Sequence, residues 1–135
     1  MIQRVQTIWL LLAVVFAALN FIFPFYVGAG DVIAPTKLDA QSSVPLSILA
    51  GLTGAVALVT IFLFRNRKAQ LRLSLLGVSL SAALLTVYIL ESRDLPGGAF
   101  ALSSVFAFLL PVLFILAYSR INKDEKLIKS MDRLR

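Results

Sequence analysis

Four long apolar stretches dominate the sequence and limit how the chain can fold. They cover residues 5–27, 46–64, 73–90 and 99–118. A helix needs about 20 apolar residues to cross the ~30 Å hydrocarbon layer of a bilayer, and each stretch is close to that length. Hydrophobic residues make up 59% of the chain, which is well above the share of a soluble domain. The pattern predicts an all-α membrane protein with four transmembrane helices.

The first stretch has a second interpretation. Arg4 precedes it, and the small residues Gly28, Ala29 and Gly30 follow it, which is also the pattern of a cleavable signal peptide. We interpret it as the first transmembrane helix. The segments between the stretches are too short to bury a core of their own, so we expect residues 1–135 to form a single domain.

The basic residues are distributed unevenly between the two sides that four spans would create. Eleven of the thirteen Lys and Arg residues fall on the side of the termini, and only Lys37 and Arg93 fall on the other. The resulting net charges are about +8 and about −2. Because Lys and Arg are enriched in cytoplasmic loops, we expect both termini to be cytoplasmic.

Small residues follow one flank of the second and third stretches. A neighbouring helix can approach such a flank closely, so we expect helices two and three to pack as a hairpin. Contact with a partner protein or with lipid is the alternative, for which Gly51, Gly54 and Gly77 are the candidates. The small residues are Gly51, Gly54 and Ala55 on the second stretch, and Ser74, Gly77 and Ser81 on the third.

Three side chains of the first stretch carry specific expectations. Asn20 is strongly polar and lies well inside the apolar run. An unpaired amide is costly in hydrocarbon, so we expect an interhelical hydrogen bond worth about 1 kcal/mol. Phe25 and Tyr26 lie near the end of the stretch, where aromatic rings prefer the headgroup region.

The residue types that the sequence lacks exclude several kinds of site. The chain has no Cys and no His, so it cannot form a thiol redox centre, an imidazole haem ligand or a histidine zinc site. The middles of the four stretches carry no Asp, Glu, Lys or Arg, which proton relays and coupled transporters usually have there. We therefore expect no catalytic residue, no cofactor and no metal.

The tail, residues 122–135, has the pattern of a separate short amphipathic helix. Asn122 is a candidate N-cap with Glu125 at the third helical position, and Glu125 can pair with Lys129. We expect the apolar stripe to contact anionic lipid headgroups, the protein's own basic loop or a partner protein, whereas interspersed acids make nucleic acid an unfavourable partner. The stripe consists of Leu127, Ile128, Met131 and Leu134.

The two ends of the chain, MIQRVQTIWLLLA and KDEKLIKSMDRLR, resemble an uncharacterised family of small four-span bacterial inner-membrane proteins that is catalogued as a domain of unknown function. The resemblance implies four helices and a bacterial inner membrane, and it supplies no activity and no site residue. It also draws attention to Arg4, which could pair with acids of the tail.

These features favour one class of function over two others. We expect a non-catalytic accessory subunit of a larger bacterial inner-membrane complex, since the chain supplies packing faces. A small independent transporter or channel is the alternative, and it would need a polar pathway. An enzyme acting on a polar headgroup would need convergent ionisable groups, which only Glu91, Arg93 and Asp94 could provide.

The distribution of basic residues generates the first prediction. A topology reporter fused after Arg135 should behave as cytoplasmic, and one inserted near Asp39 should behave as exported, because Lys and Arg are retained on the cytoplasmic side. Alkaline phosphatase and green fluorescent protein fusions measure this. Export of the C-terminal reporter would contradict the predicted orientation.

Overall fold

A computed structural model describes residues 2–28, 37–95 and 97–134, with side chains from residue 5 onward. Each of the four main helices is long and apolar enough to cross a membrane, which confirms the predicted fold class. The helices are α1 (Ile2–Ile22), α2 (Val44–Phe62), α3 (Arg67–Ser92) and α4 (Ser104–Arg133). The strands are β1 (Tyr26–Val27), β2 (Lys37–Leu38) and β3 (Ala99–Phe100).

The helix ends differ from the predicted spans where local signals outweigh hydropathy. The Asn66 side chain accepts a hydrogen bond from the Ala69 amide and caps α3, so this helix includes basic residues that lie outside the apolar stretch. Ser43 caps α2 in the same way, by accepting from the Leu46 amide, with Pro45 in the first turn. α1 stops at Ile22, ahead of Pro24, because the chain turns there into β1.

The helices form a closed ring. α1 packs against α2 and α4, and α3 packs against the same two helices. Alanines fill much of the interior, so that helix backbones approach closely, and buried leucines and aromatic rings occupy the remaining space. The start of α1, the end of α4 and the short α2–α3 loop lie at one end of the bundle. We call it the extension end, because α4 extends past the other helices there. The strands lie at the other, the sheet end.

The sheet end is closed by aromatic rings and a small sheet that the sequence did not predict. The strands pair antiparallel in the order β2-β1-β3. Phe25 is 1% exposed, stacks on Tyr88 with 4.3 Å between centroids, and meets Phe100 edge-on at 5.6 Å. Phe25 and Tyr26 are both buried within the protein, and their position at the level of the headgroups stays a prediction.

Two glycines make the turn into β3 possible. Gly97 has a φ of 75°, a conformation that residues with a Cβ rarely adopt. A Cβ on Gly98 would overlap the Val27 carbonyl oxygen of β1. The sheet end therefore depends on glycine at both positions.

The small-residue flanks pack on helices other than those predicted. α2 and α3 do pack together, but a Cβ on Gly77 of α3 would overlap the Phe114 ring of α4. A Cβ on Gly54 of α2 would lie 3.4 Å from Ala17 of α1. Gly77 thus lies at the contact between α3 and α4, and Gly54 lies at the contact between α2 and α1. The two glycines do not face each other.

The difference between two glycines gives the second prediction. Gly77→Ala should lower the free energy of unfolding by about 2 kcal/mol, because the new methyl group collides with a buried ring. Gly51→Ala is the matched control, since a Cβ there meets no atom within 4 Å, and it should leave stability unchanged or slightly higher. Unfolding by SDS in mixed micelles, followed by circular dichroism, measures both. Equal effects of the two substitutions would contradict the packing described here.

Candidate functional site

α4 is longer than a membrane span requires. Its 30 residues measure roughly 45 Å, against ~30 Å of hydrocarbon. The tail is helical, as predicted, but it continues α4 without a break, so the predicted boundary and N-cap at Asn122 do not exist. Asn122 lies inside the helix between Ile121 and Asp124, which the bundle buries. These buried contacts favour a continuous helix at the position where sequence signals alone favoured a new start.

The register between α3 and α4 shows how far α4 projects. Gly77 faces Phe114, and the two helices run antiparallel, so Arg67, the first residue of α3, lies about level with Asp124. Residues 125–134, which we call the extension, lie beyond the start of α3. At 1.5 Å per residue the extension is about 14 Å long.

A buried polar pair lies at the root of the extension. Gln6 of α1 and Asp124 of α4 are only 5% and 6% exposed, and the Gln6 side-chain amide donates a hydrogen bond to the Asp124 carboxylate. The sequence placed tail acids on the same side as the N-terminus but suggested Arg4 as their partner, and the Arg4 side chain lies outside the described residues. The spacing of Ala117, Ile121 and Asp124 was the signal that could have placed Asp124 on the core face.

The apolar stripe of the extension is the core face of α4 prolonged past the bundle. Ala117, Ile121 and Asp124 are buried at intervals of four and three residues, and the next two intervals lead to Ile128 and Met131. These two side chains are exposed, Met131 to 68%. Leu127 and Leu134 flank them and are exposed to 50% and 89%. A shallow groove of about 450 Å³ is lined by Ile128, Met131, Asp132 and Leu134.

Charge surrounds this stripe. Lys129 forms the predicted ion pair with Glu125 at 3.3 Å, and it is the only salt bridge among the residues that the structure describes. Basic side chains also crowd the start of α3 and the loop before it. They are Arg65, Arg67, Lys68 and Arg72. The extension end therefore combines an uncovered apolar face with unpaired positive charge.

A second apolar surface lies between α1 and α2 in the span region. A groove of about 350 Å³ runs beside Ala17, Gly51, Gly54, Ala55 and Leu58. Gly51 and Gly54 thus border the outside of the bundle, where lipid or a partner helix could reach them. Gly77 does not, because it is buried against Phe114 inside the bundle.

Polar side chains inside the helices bond mostly to their own backbones. Thr53 and Thr60 donate to carbonyls four residues earlier at 2.6 Å, and Ser81 donates to Val78. Asn20 likewise donates to Phe16 of its own helix at 2.8 Å, so the predicted interhelical bond was wrong. A carbonyl in the same helix is always within reach, which makes it the nearest acceptor in hydrocarbon.

The charged cluster at the sheet end has a structural contact. The Ser43 hydroxyl donates to Glu91 at 2.7 Å and joins the start of α2 to the end of α3. Arg93 and Asp94 are exposed. Asp39 and Glu91 both lie close enough to the buried Tyr88 hydroxyl to interact with it electrostatically.

The family model described as Domain of unknown function (DUF4293) matches residues 2–134. The chain belongs to this family. The match includes the extension, so the extension is part of the DUF4293 domain and not an appendage to it. Comparisons with curated proteins and with solved structures found no match.

The buried pair generates the third prediction. Asp124→Ala should broaden the distribution of distances between spin labels at Arg65→Cys and Ser130→Cys, and should cost about 1–3 kcal/mol, because the Gln6 amide loses its acceptor. Asp124→Asn keeps an acceptor oxygen and should retain a narrow distribution. The chain has no cysteine, so double electron–electron resonance can be measured without background labels.

Asp132→Ala is the control, since Asp132 is an exposed acid of the same extension. It should leave the distribution unchanged. If Asp124→Ala did the same, the Gln6–Asp124 bond would not hold the extension.

Proposed function

We propose that this protein is a non-catalytic accessory subunit of a larger bacterial inner-membrane complex, and that the α4 extension is its docking element. The observation that carries the proposal is the uncovered stripe of Leu127, Ile128, Met131 and Leu134 on a helix that the bundle holds in place. Exposed apolar faces of this kind mark sites of interaction.

The continuity of α4 favours a protein partner over a lipid surface. A helix lies flat on headgroups only if it can turn away from the span that precedes it. The buried Ile121 and the Gln6–Asp124 bond hold α4 against the bundle up to the root of the extension. The extension of a spanning α4 therefore points away from the membrane, and its stripe is out of reach of the acyl chains.

The interior of the bundle supports an accessory role better than transport. Thr53, Thr60 and Ser81 donate to carbonyls of their own helices, so these hydroxyl hydrogens are not available to a moving solute. Trp9 Nε1, Ser74 Oγ and Tyr88 Oη are buried without a partner among the described residues, so these three groups are the ones left free to bond to a solute. A small independent transporter or channel remains the alternative.

The orientation belongs to the same proposal. Basic residues at the extension end favour a cytoplasmic position for that end, so the extension would reach its partner in the cytoplasm or at the inner surface of the membrane. The α1–α2 groove beside Gly51 and Gly54 offers a second contact within the bilayer.

Site-specific photo-crosslinking in native membranes tests the proposal and is the fourth prediction. A photoreactive phenylalanine analogue at Met131 should give a discrete protein adduct, because Met131 lies on the stripe. The same analogue at Lys126, on the opposite side of the helix, should give much less. Replacing both Leu127 and Met131 by Ser should lower recovery of the adduct partner about tenfold in mild-detergent purification.

Circular dichroism of each variant controls for folding. Adducts with lipid alone would contradict the proposal. So would solute transport by the purified protein after reconstitution on its own.

A further inference from the structure

The extension and the end of the bundle form a corner. Its wall is the apolar stripe, represented by Ile128 and Met131 on the core face of α4. Its floor is the end of the bundle, where α3 begins beside α4 and carries Arg67 and Lys68. On the α3 side the wall is about 14 Å high, and a helix with its side chains is about 10–12 Å across. On the other side α1, which begins at Ile2, borders the first turn of the extension. The corner is therefore deep enough for one helix lying across the extension.

The direction of the stripe excludes another membrane-spanning helix as the occupant. The stripe continues the face that α4 turns toward α1 and α3, so the space directly behind it in the membrane is filled by those two helices. A spanning helix running alongside the extension would overlap them, and the same holds for the α4 helix of a second copy. The occupant has to come from the water side.

The charge of the floor defines the chemistry of the occupant. Arg65, Arg67 and Lys68 form no salt bridge with any described residue. Of the three acids in this part of α4, Asp124 accepts from Gln6, Glu125 pairs with Lys129, and Asp132 is exposed beside the stripe. A ligand that contributes acids at the floor would satisfy this unpaired positive charge. If the same ligand is a helix with one apolar face, that face would cover the apolar stripe that forms the wall.

We propose, on the basis of the proposed accessory function, that the corner binds an acidic amphipathic helix of a peripheral, water-soluble protein. The apolar face of that helix packs on Ile128, Met131 and Leu134, and its acidic face meets the basic start of α3 and the loop before it. The uncovered stripe and the unpaired basic cluster are then two halves of one site.

A defined peptide tests the chemistry. The probe is an 18-residue helical peptide with Leu along one face and Glu on the remaining surface, and the control peptide has Lys in place of every Glu. Binding is measured by fluorescence anisotropy to the full chain in nanodiscs of zwitterionic lipid, with empty nanodiscs as background. The acidic peptide should bind about tenfold or more tightly than the Lys peptide, and added salt should reduce the difference.

Variants locate the binding site. Met131→Ser and the double change Arg67→Gln with Lys68→Gln should each weaken binding of the acidic peptide about tenfold. The matched control, Lys126→Gln with Arg133→Gln, removes the same amount of charge from the other side of the extension and should have little effect. Equal binding of the two peptides, or equal losses in the wall, floor and control variants, would overturn the inference.

Crosslinking from Met131 separates this inference from the accessory function. Membranes are washed with alkaline carbonate, which removes peripheral proteins, before irradiation. Loss of a protein adduct after the wash supports a peripheral partner. A protein adduct that persists points to an integral partner, so the accessory function would stand and the inference would fail. Absence of a protein adduct in unwashed membranes would overturn both.

Discussion

The contact between the Phe114 ring and Gly77 sets the geometry on which the functional surface depends. Only a residue without a Cβ lets the ring lie against the α3 backbone, so α3 and α4 come close at this level. The contact also restricts the register of the two helices, because a slide of about one turn would bring the ring against the Cβ of Ser74 or Ser81. That register leaves residues 125–134 beyond the start of α3. The projecting extension is thus a consequence of packing deep in the bundle.

The two ends of the bundle treat their polar and apolar groups differently. At the sheet end the strands pair with one another, and Phe25, Tyr88 and Phe100 fill the space beneath them. At the extension end one buried bond joins Gln6 to Asp124, and beyond it the stripe continues without a cover. Among the described residues, the strands and rings of the sheet end thus pack on one another, whereas the stripe at the extension end packs on no other element.

The sequence predicted the four helices well because hydrocarbon imposes a simple length requirement, which each apolar stretch meets. It did not predict the sheet, since two-residue strands such as Tyr26–Val27 carry too little pattern to detect. The local cap signal at Asn122 was misleading, because burial of Ile121 and Asp124 on both sides of it decides the conformation. The helix that Gly77 packs against could not be predicted from the sequence either. The spacing of small residues shows that they share a face, but it does not show which helix that face contacts.

The apolar stripe of the tail could be predicted from the sequence, whereas the direction in which it faces could not. Leu127, Ile128, Met131 and Leu134 have the spacing of an amphipathic helix, and such a helix by itself would lie on a membrane surface. Once the helix is seen to continue α4, the stripe can no longer rotate independently, and its direction is set by the buried residues Ala117 and Ile121. A face with a fixed direction and height selects its partners by shape as well as by polarity. The fixed direction of the stripe therefore limits the size of the proposed site, which is bordered by the basic residues at the start of α3.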